Sequence, residues 1–287
     1  MRLADSRLLL AAVCLQGCAI GVAATRWRSL LANQGIQLDW WQTARLVLIG
    51  LFFNLFYLGS MGGDSAKFVA ALPHAPEGKA RVAISLIQDR VIGLGALLCL
   101  LTGLIAWHSL MLLADRATHI FTIGVPVLCV MYLAATLILW FWPSRTVPVR
   151  TTQSIAEMKI SFSMLRRVFP RAVFLPTMIK SLLIHGLVIS AGFLTARAVG
   201  IAISLSEAGV VLGVTALALS LPITIAGLGV RDGMLIWLLA IFGFKTTGQA
   251  ISLSICLLSI SLFWAFAGGV AFFWPTSHFQ AANGNIG

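Results

Sequence analysis

The chain has 287 residues, of which 59% are hydrophobic and 10% charged, and its mean hydropathy is +0.97. A soluble chain carries roughly 25% charged residues, so this composition excludes a soluble domain. The formal net charge of +11 is not organised as a basic stripe interleaved with aromatics on a soluble fold, so we expect no nucleic-acid partner. The excess of bases is typical of positive-inside loops of a membrane protein.

Several apolar runs approach or exceed the roughly 20 residues that cross a bilayer. Because a helix satisfies its own backbone in lipid, the sequence predicts an all-α polytopic membrane protein with about six to eight membrane helices. We expect residues 1–275 to form a single transmembrane domain and the polar residues 276–287 to be a disordered tail. The full spans are predicted at Leu8 to Ala24, Ala80 to Trp107, His119 to Trp142, Val173 to Val199 and Ile251 to Trp274.

Cysteine spacing and short motifs give no sign of a metal or cofactor site. The five cysteines all lie within apolar runs and none forms a Cys-x-x-Cys pair, which is typical of small buried hydrophobes. The chain also lacks a His-Glu-x-x-His motif, a Gly-x-Ser-x-Gly motif and a Walker-type loop. We therefore expect no metal and no cofactor.

A first glycine break follows the apolar run from Arg45 to Ser60, which is short for a full span. The break is Gly62-Gly63, and Asp64 and Lys67 follow it one helical turn apart. Such a segment can enter the membrane and turn back only if its loop is buried in protein or lines a cavity. We therefore predict a re-entrant segment that presents an acid and a base.

A second break of the same design follows the apolar run from Ser204 to Gly227. Glycines at positions 227 and 229 interrupt it, and Arg231-Asp232 comes next. The pair Gly227-x-Gly229 lacks the third glycine and the preceding strand of a dinucleotide fingerprint, so we discard that interpretation. The two broken segments are predicted to enter from opposite faces as an inverted repeat.

The basic residues predict the orientation of the chain. If the first broken segment re-enters, the bases at positions 26–81 and 145–171 lie on one side, which the positive-inside rule assigns to the cytoplasm. Within the second of these regions, residues 153–169 have apolar residues near helical spacing among bases. They predict an amphipathic helix lying on the membrane surface.

Ionisable residues inside apolar stretches are costly at membrane depth unless they are paired or hydrated. Neighbours on a helix point about 100° apart, so Asp89-Arg90 and Arg231-Asp232 need partners on other segments. We expect Asp64 or Asp232 to pair with Arg90 and these groups to line a hydrated cavity. The simpler alternative is that they are structural ion pairs between helices, with some bases reaching to the interface.

A phosphate headgroup suits this arrangement, because glycine exposes backbone N–H groups and the bases supply counter-charges. We therefore expect a membrane lipid with an anionic headgroup as the ligand. The candidate substrate-binding residues are Gly62, Gly63, Asp64, Lys67, Asp89, Arg90, Gly227, Gly229, Arg231 and Asp232.

At these residues the chain resembles the flippase-like membrane family, also called the lysylphosphatidylglycerol synthase transmembrane region. Lys67 stands where that family often has arginine, and Asp232 where it often has glutamate; both changes keep the charge. The matching features, in order over most of the chain, are Arg26-Trp27, Gly62-Gly63-Asp64 with Lys67, Asp89-Arg90, and Pro222 with Gly227-Leu228-Gly229-Val230-Arg231-Asp232.

The resemblance implies a multi-pass protein of the cell (inner) membrane that moves a phosphate-bearing lipid between leaflets. An aminoacyl-phospholipid or a polyprenyl-phosphate-linked sugar would be such a lipid. We expect no aminoacyl-transferase domain after Trp274, and hence translocation without aminoacyl transfer. This interpretation makes the protein a transporter rather than an enzyme.

Two alternatives stay open at this stage. The chain could be an accessory or catalytic subunit of a lipid-linked glycosyl- or aminoacyl-transfer system, with Asp64 or Asp232 as a base. It could also be a scaffold that recruits a partner through residues 153–169. The protein partner would be a second copy of the chain or a membrane enzyme.

Overall fold

A computed structural model gives the fold and describes residues 5–55, 61–75, 78–108, 119–141, 169–220, 229–244 and 247–273. Every regular element in these ranges is helical, including one short 3-10 turn after the third helix, so the all-α prediction is confirmed. The α-helices are α1 (Ser6–Asn33), α2 (Trp40–Phe53), α3 (Met61–Ala71), α4 (Lys79–Trp107), α5 (His119–Phe141), α6 (Arg171–Ala198), α7 (Leu205–Ser220), α8 (Val230–Ile241) and α9 (Thr247–Phe273).

Four of these helices, α1, α4, α6 and α9, are long and apolar enough to cross a membrane. Helix α5 contains a further apolar stretch, Thr122–Ile138. The chain is therefore a multi-pass membrane protein, as predicted. Most of the predicted spans lie within a few residues of the observed helices.

Helix α1 is the exception, because it continues well past the predicted end at Ala24. The continuation buries Trp27, Leu30 and Leu31, each at most 1% exposed, so the last two turns contribute to the core. The chain leaves the helix only near Gly35, whose φ of +78° suits glycine. The basic residues after Ala24 therefore lie on a helix and not in a loop.

Helices α2 and α3 pack against each other as an antiparallel hairpin. Asn54 lies beside Gly63, and Gly50, one turn earlier, lies beside Lys67. With 14 residues, α2 is about 21 Å long, short of the roughly 30 Å of a hydrocarbon core. A hairpin of two short helices is the geometry that a re-entrant segment requires.

The helix contacts in the two halves of the chain correspond to each other. The most extensive contact is between α1 and α6. The hairpin α2–α3 packs on α1 and α9, and the pair α7–α8 packs correspondingly on α6 and α4. This is the pattern that an inverted repeat predicts, with α1 to α4 in one half and α6 to α9 in the other. The short helices of each half pack on the first helix of their own half and on the last helix of the other half.

Three predictions fall on parts of the chain outside the described residues. They are the interfacial helix at 153–169, of which the structure describes only Phe169, the tail at 276–287, and the ends of the two predicted broken segments, at 56–60 and 221–228. The interfacial helix and the disordered tail stay predictions.

The contact between α4 and α5 can be tested by cross-linking. Cys99 Sγ and Cys129 Sγ lie 3.8 Å apart, so small side-chain rotations would bring them to bonding distance. Treatment of the membrane-embedded protein with copper phenanthroline, which accepts two electrons from the two thiols, is expected to form this disulfide. Peptide mass spectrometry would detect it, and the product should vanish in Cys99→Ala. Preferential cross-links to Cys256 instead would contradict the packing.

Candidate functional site

The buried charges of α1, α3 and α4 form one connected group. Arg26 Nε donates to Asp89 Oδ1 at 2.8 Å, and Lys67 Nζ lies 4.0 Å from the other oxygen of the same carboxylate. Lys67 Nζ also binds Asp64 Oδ1 at 2.8 Å, and Arg90 Nε donates to Asp64 Oδ2. We call these five side chains the ion-pair network. The prediction that Asp89 and Arg90 find partners on other segments is confirmed, with Asp64 as the partner of Arg90.

Neutral polar groups and an aromatic ring hold the buried end of this network. Arg26 Nη1 donates to Ser181 Oγ of α6 at 2.9 Å, and Ser181 is fully buried. Trp27 Nε1 donates to Ser85 Oγ at 3.2 Å, and Lys67 Nζ lies 5.3 Å from the centroid of the Trp27 ring. A cation over a desolvated indole gains electrostatic stabilisation from the ring. Helices α1, α3, α4 and α6 therefore all contribute to the position of these charges.

The glycine break determines how closely α3 approaches α2. The backbone N–H of Gly63 donates to Asn54 Oδ1 at 2.7 Å. A Cβ at position 63 would collide with that amide and with the carbonyl oxygen of Gly50, whereas a Cβ at position 50 would lie 2.9 Å from Lys67 Cγ. Gly62 is buried at the start of the same helix. These glycines let α3 approach closely enough for Asp64 and Lys67 to reach the network.

Exposure increases across the network towards Arg90. The side chains of Arg26, Asp89 and Lys67 are 11%, 13% and 14% exposed, whereas that of Arg90 is 41% exposed. Three bases face two acids, so the network carries one excess positive charge. The cation that is best placed to bind a further anion is therefore the outermost one, Arg90.

An apolar pocket of about 150 Å³ lies between α4, α5 and α6. One of its lining residues, Val91, directly follows Arg90 in the sequence. An apolar cavity of about this size holds a benzene molecule in another protein, so it has room for a short length of hydrocarbon. The pocket is lined by Val91, Tyr132, Ala135, Thr136, Phe169 and Phe174.

The second predicted charge pair forms a separate group at the start of α8. Gly229 has φ of +81° and its N–H donates to Asp232 Oδ2 at 3.3 Å, so Asp232 caps the helix. Arg231 is 9% exposed and its Nε donates to Ser254 Oγ of α9 at 2.8 Å, while that hydroxyl donates to Asp232 Oδ1. Ser254 therefore bridges Arg231 and Asp232, and this neutral hydroxyl gives both charges a partner on another helix.

The predicted site residues therefore lie in two groups. Within the described part of the chain, no hydrogen bond or ion pair joins the network to the group at α8. Gly227 lies outside the described residues. A hydrated cavity shared by both groups stays a prediction.

Arg26, Ser181 and Ser254 were not among the predicted site residues. Arg26 lies beyond the first predicted span, because the apolar run ends at Ala24. The true stop signal is the Asn33-Gln34-Gly35 sequence, where glycine follows the last helical turn. Nothing in the sequence marks the two serines as partners of a charge, because a serine in a helix often bonds only to the backbone of that helix.

Comparison with known proteins gives one match. The family model described as the lysylphosphatidylglycerol synthase TM region matches residues 1–269. No curated protein and no solved structure matches the chain significantly. The match covers the ion-pair network and the group at α8, and it associates the chain with the modification or translocation of membrane lipid. The chain belongs to the lysylphosphatidylglycerol synthase transmembrane region family.

Proposed function

We propose that this protein translocates a phosphate-bearing lipid between the leaflets of the cell (inner) membrane. An aminoacyl-phospholipid or a polyprenyl-phosphate-linked sugar would be a suitable substrate. The headgroup contacts the ion-pair network and the group at α8 as it crosses. The proposed substrate-binding residues are Gly62, Gly63, Asp64, Lys67, Asp89, Arg90, Gly227, Gly229, Arg231 and Asp232.

The observation that carries the proposal is that Asp64 pairs with two bases, of which one is largely buried and the other is partly exposed. This carboxylate binds Lys67 and Arg90 at once, and Arg90 is the most exposed member of a network with one excess positive charge. When a lipid phosphate binds Arg90, Asp64 keeps its ion pair with Lys67. No charge in the network would then lack a partner of opposite sign. Exchange of this kind lowers the barrier to a charged headgroup, because binding and release leave every buried charge with a partner.

The surroundings of Arg90 also favour a lipid over a soluble anion. The apolar pocket begins at the next residue of α4, and its lining offers hydrocarbon contacts. A molecule with a phosphate at one end and a hydrocarbon chain at the other matches both features. A free anion would use only the charge.

The test is transfer of a lipid in proteoliposomes. The purified protein is reconstituted with phosphatidylglycerol labelled with nitrobenzoxadiazole, and dithionite quenches the label in the outer leaflet only. Asp64→Asn and Arg231→Ala are expected to slow transfer by about tenfold or more, since each removes a charge-assisted hydrogen bond. Circular dichroism and size-exclusion profiles report whether the variants are folded.

Arg197→Gln is the matched control for loss of a positive charge. Arg197 is exposed near the end of α6, where it lies 5.8 Å from the Phe193 ring, and belongs to neither group. Its transfer rate should equal that of the unaltered protein. Unchanged transfer in both Asp64→Asn and Arg231→Ala would overturn the proposed route.

A further inference from the structure

Lys180 is a cation inside α6 with only neutral partners. Its Nζ donates to Ser29 Oγ at 2.8 Å and lies 3.4 Å from the carbonyl oxygen of Thr25, both on α1. Ser29 directs its own hydroxyl hydrogen to Thr25 O at 2.9 Å, so it can only accept from the lysine. Lys180 lies nine residues into α6, which is about 13.5 Å along the helix axis.

Lys180 differs in this respect from the cations of the ion-pair network. Arg26, Lys67 and Arg90 each bind a carboxylate, whereas no carboxylate of the described residues lies within 4.0 Å of Lys180 Nζ. A cation within a membrane-spanning helix is costly unless it is paired or hydrated, and such residues mark candidate ion or substrate sites. An ammonium group has three donors, and these two contacts leave one of them for a ligand.

A second cation, Arg28, lies on the same face of α1. Thr25, Arg28 and Ser29 are three and four residues apart, so they form one stripe along the helix. Arg28 Nε donates to the carbonyl of Leu38 at 2.9 Å, which leaves its other N–H groups for a ligand. Arg28 on this stripe and Lys180, which contacts Thr25 and Ser29 of the same stripe, bring two like charges to one part of the seam. A bound anion would remove both the repulsion and the uncompensated charge.

An exposed apolar stripe of α6 lies beside Lys180. Leu175, Ile179 and Leu183 of α6 are 62%, 59% and 51% exposed, and their spacing of four residues makes them a lipid-facing stripe. Leu183 follows Lys180 by three residues, so this stripe borders the lysine on the surface of α6. A lipid could therefore place its chains along this stripe and its headgroup at the two cations.

We propose that Arg28 and Lys180 form a binding seat for the phosphate of an anionic phospholipid at the seam between α1 and α6. The phosphate oxygens accept hydrogen bonds from Lys180 Nζ and the Arg28 guanidinium, while Ser29 and Thr25 hold the lysine in position. A zwitterionic lipid brings its own cation towards two positive charges, so the seat selects anionic headgroups. It is separate from the translocation route, and its occupancy does not depend on transport.

The test is native mass spectrometry of the full chain in neutral detergent, titrated with phosphatidylglycerol or phosphatidylcholine. The unaltered protein is expected to retain phosphatidylglycerol in preference. Lys180→Gln and Arg28→Gln should each weaken that binding about tenfold, and Lys180→Arg should restore most of it. Arg197→Gln, the control on the same helix, should bind as the unaltered protein does.

Three results would overturn the seat. One is equal phosphatidylglycerol binding in Lys180→Gln, Arg28→Gln and the unaltered protein. The second is a loss of binding in Arg90→Ala but not in either seat variant, which would place the bound lipid at the network. The third is displacement of the lipid by millimolar inorganic phosphate, which would make free phosphate the ligand. Failure of lipid transfer in proteoliposomes would leave these binding results unchanged, so the two proposals fail separately.

Discussion

Asp89→Asn is expected to lower the free energy of unfolding by about 3 kcal/mol, because removing one partner of a buried ion pair strands the other. Asp89 receives Arg26 at 2.8 Å and has Lys67 4.0 Å from its second oxygen. Lys67 would keep Asp64, but Arg26 would retain only Ser181 as a polar partner among these contacts. A positive charge that is 11% exposed would then lack a carboxylate.

Titration with sodium dodecyl sulfate in mixed micelles, followed by tryptophan fluorescence, would measure this change. Arg26→Gln in the Asp89→Asn background is the informative second variant, because it removes the stranded charge. The double variant should be more stable than the sum of the single effects predicts, with a coupling of about 1 to 3 kcal/mol. Strict additivity would show that the pair contributes nothing as a pair. Glu207→Gln, which neutralises a carboxylate outside the network, should change stability by less than about 1 kcal/mol.

Gly268→Ala is expected to destabilise the protein by about 2 to 3 kcal/mol, the upper range for overpacking of a tight contact. Helices α9 and α2 approach so closely that a Cβ on Gly268 would collide with the backbone carbonyl of Leu48. A backbone group cannot rotate away as a side chain can, so the two helices would have to separate. Because α2 packs against α3 in the hairpin, a shift of α2 should also move Asp64 and Lys67.

Gly186→Ala is the matched control, since a Cβ there meets no atom within 4 Å. Alanine is favoured over glycine inside a helix by up to about 1 kcal/mol, so this variant should be as stable as the unaltered protein or slightly more stable. The same detergent titration would measure both. Equal effects of the two substitutions would show that α2 and α9 do not approach each other as described.

The helices themselves were largely predictable from the sequence. Long apolar runs marked α4, α5, α6 and α9 to within a few residues, because the cost of exposing backbone to lipid makes any such run helical. Glycine breaks marked the short helices α3 and α8, since glycine removes the steric limit on a turn or a close approach. Even the need of Asp89 and Arg90 for partners on other segments followed from helical geometry alone.

The tertiary structure decided most of the partners that these charges have, since only the pairing of Arg90 with Asp64 was among the predictions. Arg26 meets Asp89, 63 residues away, and Ser181, 155 residues away, from a helix that continues past Ala24. Lys180 likewise stands out as a cation with neutral partners only once α6 is placed against α1. Apolar character is a property of each segment and can be summed along it. The pairing of a charge depends on the neighbouring helix, which the segment's own residues do not specify.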